Sequence, residues 1–322
     1  MTKLASISAL IAFSLVAQAQ GVQMEQVAYG GWAHCVKLSN GSIELIATTD
    51  VGPRLIRLGF AGGQNLFKEY AEMLGKTGGG EWRIYGGHRL WHAPEEKPRT
   101  YWPDNAPVEQ AWDGTTLKLV PPPETDCRIQ KQMEVTMDPA KARVTVLHRL
   151  TNLNQWDVEL APWALTVMAP GGRAIYPQEP YIPHTEYLLP ARPLVLWHYT
   201  NMADPRWVWG EKCFQLKQDA SATTPQKVGF LNKQGWVAYS LNGELFVKQF
   251  EPTPGASYPD FGCNTETFTN ADMLEVETLG PLTTLAANGG SVEHTEVWSL
   301  HKLEVGEDEA EIVAKVLPLV GR

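Results

Sequence analysis

Asn40-Gly41-Ser42-Ile43-Glu44-Leu45-Ile46-Ala47 and, after a short gap, Gly52-Pro53-Arg54-Leu55-Ile56-Arg57-Leu58 are the stretches from which the fold is read. In each, a turn signal precedes a short run in which aliphatic and polar residues alternate, the period-two pattern of a half-buried strand. The pattern recurs through the chain at 128–137, 143–150, 158–168, 236–241, 245–250, 273–278 and 292–300. One segment departs from it: over 307–317, Ile312, Val313, Val316 and Leu317 fall on one helical face behind an acidic first turn. No repeat of fixed period is visible, which disfavours propellers and solenoids. The expectation is an all-β chain, a large antiparallel β-sandwich with a short C-terminal helix. No flexible linker divides the chain, so 20–322 reads as a single domain, and Gly78-Gly79-Gly80 reads as a loop turning.

Composition agrees. Of 322 residues, 43% are hydrophobic, enough apolar surface for a large packed core and against global disorder. A formal net charge of −9 argues against a partner held through its phosphates, so no nucleic acid is expected. Residues 1–19 read as a secretory signal peptide: Lys3, an apolar run over 4–16, then Ala17-Gln18-Ala19 before the cleavage point. That run is too short for a spanning helix, so periplasmic or secreted localisation is expected, without membrane insertion once the leader is cleaved. Cys35, Cys127, Cys213 and Cys263 form no C-x-x-C pair, which supports neither a zinc ribbon nor a redox motif. Two disulfides and four buried thiols both remain open.

Two stretches carry candidate chemistry. Tyr85-Gly86-Gly87-His88-Arg89-Leu90-Trp91-His92-Ala93-Pro94-Glu95, with Tyr101-Trp102 beyond it, reads as an aromatic loop at a sheet end, where binding groups are commonly carried. His88 and His92 would pair as metal ligands on a helix, but the glycines and Pro94 argue against that helix, and no metal or other cofactor is expected. Arg89, Trp91, His92 and Trp102 suit a sugar better, with ring faces on C–H faces and forked donors on hydroxyls. The competing reading is a loop that merely caps the sandwich. Arg83, Arg89 and Arg99 together would suit an acidic sugar or simply solubilise the surface.

The second stretch is Leu274-Glu275-Val276-Glu277-Thr278-Leu279-Gly280-Pro281. As a strand it sets Glu275 and Glu277 on one face and Leu274, Val276 and Thr278 on the other. A carboxylate pair facing a site serves as general base; facing water, it is ordinary surface charge. This stretch, Gly289-Gly290-Ser291-Val292-Glu293-His294-Thr295-Glu296, the closing Trp298-Ser299-Leu300 and the opening strands resemble the aldose 1-epimerases of the galactose mutarotase-like superfamily, most of all its uncharacterised exported members. The resemblance spans nearly the whole chain after the leader but is carried by weak motifs.

The resemblance implies a sandwich whose concave sheet holds a saccharide or oligosaccharide. It implies Glu277 as the base that takes the anomeric proton, Glu266 as a sugar contact beside Glu275, and His88 and Arg89 in the region that supplies the family's N-terminal histidine and arginine. One departure stands out. Where the family carries the histidine that protonates the ring oxygen, Ala161-Pro162-Trp163-Ala164-Leu165-Thr166-Val167-Met168 sets Met168, and a thioether donates no proton. His88, His184 or His92 would have to substitute; His148 reads as a core or surface histidine. Three functions follow: an epimerase-type enzyme; a saccharide-binding module without catalysis; or a polysaccharide lyase or hydrolase, of which lyases usually carry a helical domain and hydrolases need two suitably spaced carboxylates.

Overall fold

The computed structural model describes residues 21–321; the expected leader, 1–19, lies outside them. Two antiparallel sheets pack face to face. The eleven-stranded sheet runs, in hydrogen-bonded order, Gln23–Tyr29, Trp32–Ser39, Ile43–Thr48, Leu55–Phe60, Gly87–Ala93, Val158–Met168, Leu274–Leu279, Thr265–Thr269, Gln226–Phe230 and Leu194–Leu196, with Thr283–Leu285 paired to one end of Val158–Met168. The ten-stranded sheet runs Trp207–Trp209, Cys213–Lys217, Arg173–Pro177, Trp236–Leu241, Glu244–Phe250, Ser291–Lys302, Arg143–Asn152, Ile129–Met137, Thr116–Val120 and Glu109–Trp112. The alternating segments read from the sequence all form strands, with ends moved by a residue or two.

The period-two pattern becomes the core directly. Leu45, Leu58, Leu90, Met168 and Val276 from one sheet meet Met133, Val146, Tyr239, Phe246 and Trp298 from the other. Phe67 lies edge-on to Phe246 and Trp298, its ring 5.9 and 5.7 Å from theirs. The C-terminal helix is Glu309–Val316, capped by the Asp308 side chain, which accepts from the Glu311 N–H at 3.0 Å. Its buried Ile312 and Val316 cover the outer face of the ten-stranded sheet at Ile175, Trp236 and Val247. The four cysteines are free thiols, three of them buried, so the core needs no staples.

One expectation is corrected. Residues 87–93 are not a capping loop but a strand at the centre of the larger sheet, buried at every position. The paired glycines do not interrupt it; they let it begin. Gly86 and Gly87 sit at φ +109° and +66°, and a β-carbon on Gly87 would stand 2.4 Å from the Leu55 carbonyl oxygen. Polar residues fill this strand because both of its faces meet polar partners. Among the described residues no helix is long and apolar enough to cross a membrane.

Candidate functional site

The site is assembled on the outer face of the larger sheet by register. Arg89 pairs across strands with Leu165, Leu165 with Glu277, Glu277 with Glu266, and Glu266 with Gly229. In the flanking rows Trp163 pairs with Trp91, and Glu275 with Phe268, which pairs with Lys227. Side chains two apart on a strand share a face, so Arg89 with Trp91, Trp163 with Leu165, and Glu275 with Glu277 all look the same way. They surround a cavity of about 240 Å³ that Trp82, Tyr101 and Tyr199 wall in from connecting segments.

Its walls are aromatic. The Trp91 ring lies 5.4 Å from Trp163, 5.2 Å from Trp82 and 5.0 Å from Tyr101. The Arg89 guanidinium rests 4.3 Å over Trp91, and its Nη2 donates to Glu275 Oε1 at 2.9 Å. Its Nε and Nη1 are buried and have no protein acceptor.

Glu277 is set between opposing influences. Trp163 Nε1 donates to its Oε2 at 2.8 Å, while its Oε1 is buried and unpartnered. Burial raises its proton affinity and Glu275 adds to this, against Lys227 and the Trp163 N–H; the balance is a carboxyl pushed up to about 7. Lys227 Nζ makes an ion pair with Glu266 Oε2 at 2.8 Å and lies 5.0 Å from the Trp163 ring centroid. Although burial alone would neutralise this lysine, Glu277 and Glu266 outweigh it and hold the ammonium charged. Burial also raises Glu266, against Lys227. One ammonium thus serves two buried carboxyls.

Of the residues singled out from sequence, Glu277, Glu275, Arg89 and Trp91 line the cavity together. Glu266 lies beneath, fully buried on Lys227. His184 is exposed in the segment before Leu194–Leu196, and Trp102 is half-buried outside the lining. Arg83 and Arg99 bond backbone carbonyls at Gly78 and Pro94, leaving Arg89 as the arginine of the cavity. His88 and His92, being even-numbered on a strand whose odd residues face the cavity, point into the sandwich. Met168 does too, within the apolar core. It therefore does not stand where a ring-protonating histidine would act; the residue of that strand opposite Glu277 is Leu165. Sequence reasoning missed Trp163, Lys227, Tyr199 and Trp82. Trp163 was within reach, since the strand that carries it had been read.

The inward histidines belong to two paired networks. His148 Nδ1 donates to the His294 carbonyl at 2.9 Å, so its Nε2 accepts from His88 Nε2 at 2.7 Å, and His88 Nδ1 accepts from the Thr166 hydroxyl at 2.8 Å. Burial keeps both rings neutral. Beside them Lys248 Nζ donates to Thr166 Oγ1, Val276 O and Glu296 Oε1 at 2.8, 3.2 and 2.8 Å. In the second network Glu124 meets His92 at 2.9 Å, Lys131 at 2.5 Å and the Cys127 thiol at 2.7 Å. His88, His148 and Glu296, and likewise His92, Glu124 and Cys127, bring metal-type donors together. Each set already holds an ammonium on its carboxylate with atoms at hydrogen-bond spacing, so neither set fits a bound cation.

No family model matches the chain, and no curated protein matches it in sequence. Solved structures do match in fold. A galactose mutarotase-like protein from Lactobacillus casei is 10% identical with a TM-score of 0.55, over 83% of this chain and 100% of that one. A putative aldose 1-epimerase from Klebsiella pneumoniae is 11% identical with a TM-score of 0.54, over 91% and 85%. A TPR-domain-containing protein from Parabacteroides distasonis is 12% identical with a TM-score of 0.55; the match covers 85% of this chain and 49% of that protein, so this chain spans about half its length. The fold is the galactose mutarotase-like β-sandwich.

Proposed function

We propose that this chain binds a saccharide in the cavity between Trp91 and Trp163 and exchanges its anomers as an aldose 1-epimerase does, with Glu277 as base. The observation that carries this reading is Glu277 itself, one oxygen fixed by Trp163, the other free, and a proton affinity near neutrality, where a general base works best. Ring faces of Trp82, Trp91 and Trp163 take the C–H faces of a pyranose, and the open Arg89 N–H groups take hydroxyls. Glu277 removes the anomeric hydroxyl proton, the C1–O5 bond breaks as the carbonyl forms, and O5 takes a proton from Lys227, the ammonium lining the same cavity. Rotation about C1–C2 and the reverse steps restore both groups and give the other anomer. The leader expected at 1–19 would direct export to the periplasm or medium.

A second reading, saccharide binding without catalysis, is favoured by Leu165 opposite Glu277 and by an ammonium that its two carboxyls make reluctant to release a proton. Proton NMR of the protein against neutral, amino and uronic sugars separates the two, reading saturation transfer for binding and anomeric exchange for catalysis. Glu277→Gln should lower exchange at least about 10²-fold and leave binding within a few fold. Binding with no exchange in the wild type establishes the module; silence across the panel removes the saccharide reading.

A further inference from the structure

We propose that the ligand is an oligosaccharide whose second ring lies outside the cavity, in the neighbouring cleft between Trp197 and Phe261; this rests on the saccharide reading above. The cleft measures about 380 Å³ and is formed by residues 195–198 with Asp260 and Phe261; the next residue of the chain, Tyr199, lines the cavity of about 240 Å³. The cavity by itself falls below the roughly 300–1,000 Å³ of typical ligand pockets, which argues for a site that continues.

Lys227 joins the two. Its Nζ lies 4.4 Å from the Trp197 ring centroid and 5.0 Å from that of Trp163, so one ammonium faces an indole of each compartment. Trp197 packs onto the sheet over Gly229, where a β-carbon would stand 2.6 Å from the Cys263 sulfur and 3.2 Å from the Trp197 ring.

Phe261 forms the opposite side and is 97% exposed. It sits at φ +61° after Asp260 at φ +48°, a left-handed pair that residues other than glycine adopt only under strain. The turn is held by the Cys263 N–H on the Pro259 carbonyl at 2.8 Å and the Cys263 thiol on the Asp260 carbonyl at 3.0 Å. Folding gains nothing from a phenyl ring held in water by a strained turn, whereas a bound sugar ring gains a stacking face. The Asp260 carboxylate and His198 imidazole beside it supply hydroxyl partners, the same mixture of ring faces and polar groups that lines the cavity.

The test is an NMR titration of the whole protein with glucose, galactose, xylose and galacturonic acid, each with its di- and trisaccharide. In the series that binds, the disaccharide should bind at least tenfold more tightly than the monosaccharide. Phe261→Ala should remove that gain, change the monosaccharide Kd less than twofold and leave the melting temperature unaltered, and Phe261→Trp should retain it. Equal affinity along every series, or a gain that survives Phe261→Ala, overturns the second ring and leaves the cavity reading standing. No binding by any sugar overturns both.

Discussion

Glu277 concentrates the chemistry in one side chain, and its environment sets two measurable behaviours. Its proton affinity, about 7, lies above that of a carboxyl in the unfolded chain, so the folded state binds its proton more tightly. The stability it contributes is complete below the ordinary carboxylate range and is lost as pH rises towards 7. Glu277→Gln removes that loss and should raise stability at pH 8 by on the order of 1–3 kcal/mol, a difference that closes by pH 4 in paired thermal melts. Anomeric exchange by the wild type should rise with pH through the same region. Trp163→Phe deletes the N–H that favours the ionised form, so the pH–rate curve should move upward by about one unit. An unmoved curve would mean that Glu277 is not the titrating base.

At the scale of the element, the strand Gly87–Ala93 shows what a sequence pattern hides. Read alone, its glycines, histidines and arginine look like a loop; in the sheet, Arg89 and Trp91 face the cavity while His88 and His92 face hydrogen-bond partners within the sandwich. The error lay in treating polarity as exposure. Strands with aliphatic alternation were legible because the face they turn inward is mostly apolar. The strand's start depends on Gly87, and Gly87→Ala should destabilise the fold by about 1–3 kcal/mol in urea denaturation through its positive φ and the approach of Leu55 O. Exchange should fall with it, since Arg89 would lose its place beside Glu275.

Across the whole molecule the two sheets are joined by buried charge as well as by apolar packing. Lys248, from the smaller sheet, reaches the Val276 carbonyl between the two glutamates of the larger one while pairing with Glu296. Burial would raise Glu296, but the Lys248 ammonium beside it holds it well below the usual carboxylate range. Lys248→Met strands that carboxylate in the core and should cost about 3–5 kcal/mol in chemical denaturation, with Lys248→Met/Glu296→Gln recovering part of the loss. A cost below about 1 kcal/mol would show that the network is spare.

By itself the sequence determined nine of the strands, the C-terminal helix and the shared face of Glu275 and Glu277, because these follow from the period at which apolar residues recur along a neighbouring stretch. Tertiary structure alone decided which side chains meet. Arg89, Trp163, Lys227 and Glu277 come from four strands separated by up to 188 positions in the chain, and strand order, which no local period encodes, makes them neighbours. The same register turned His88 and Met168 inward and left Leu165 across from Glu277, so the composition of the site rests on pairings between distant segments.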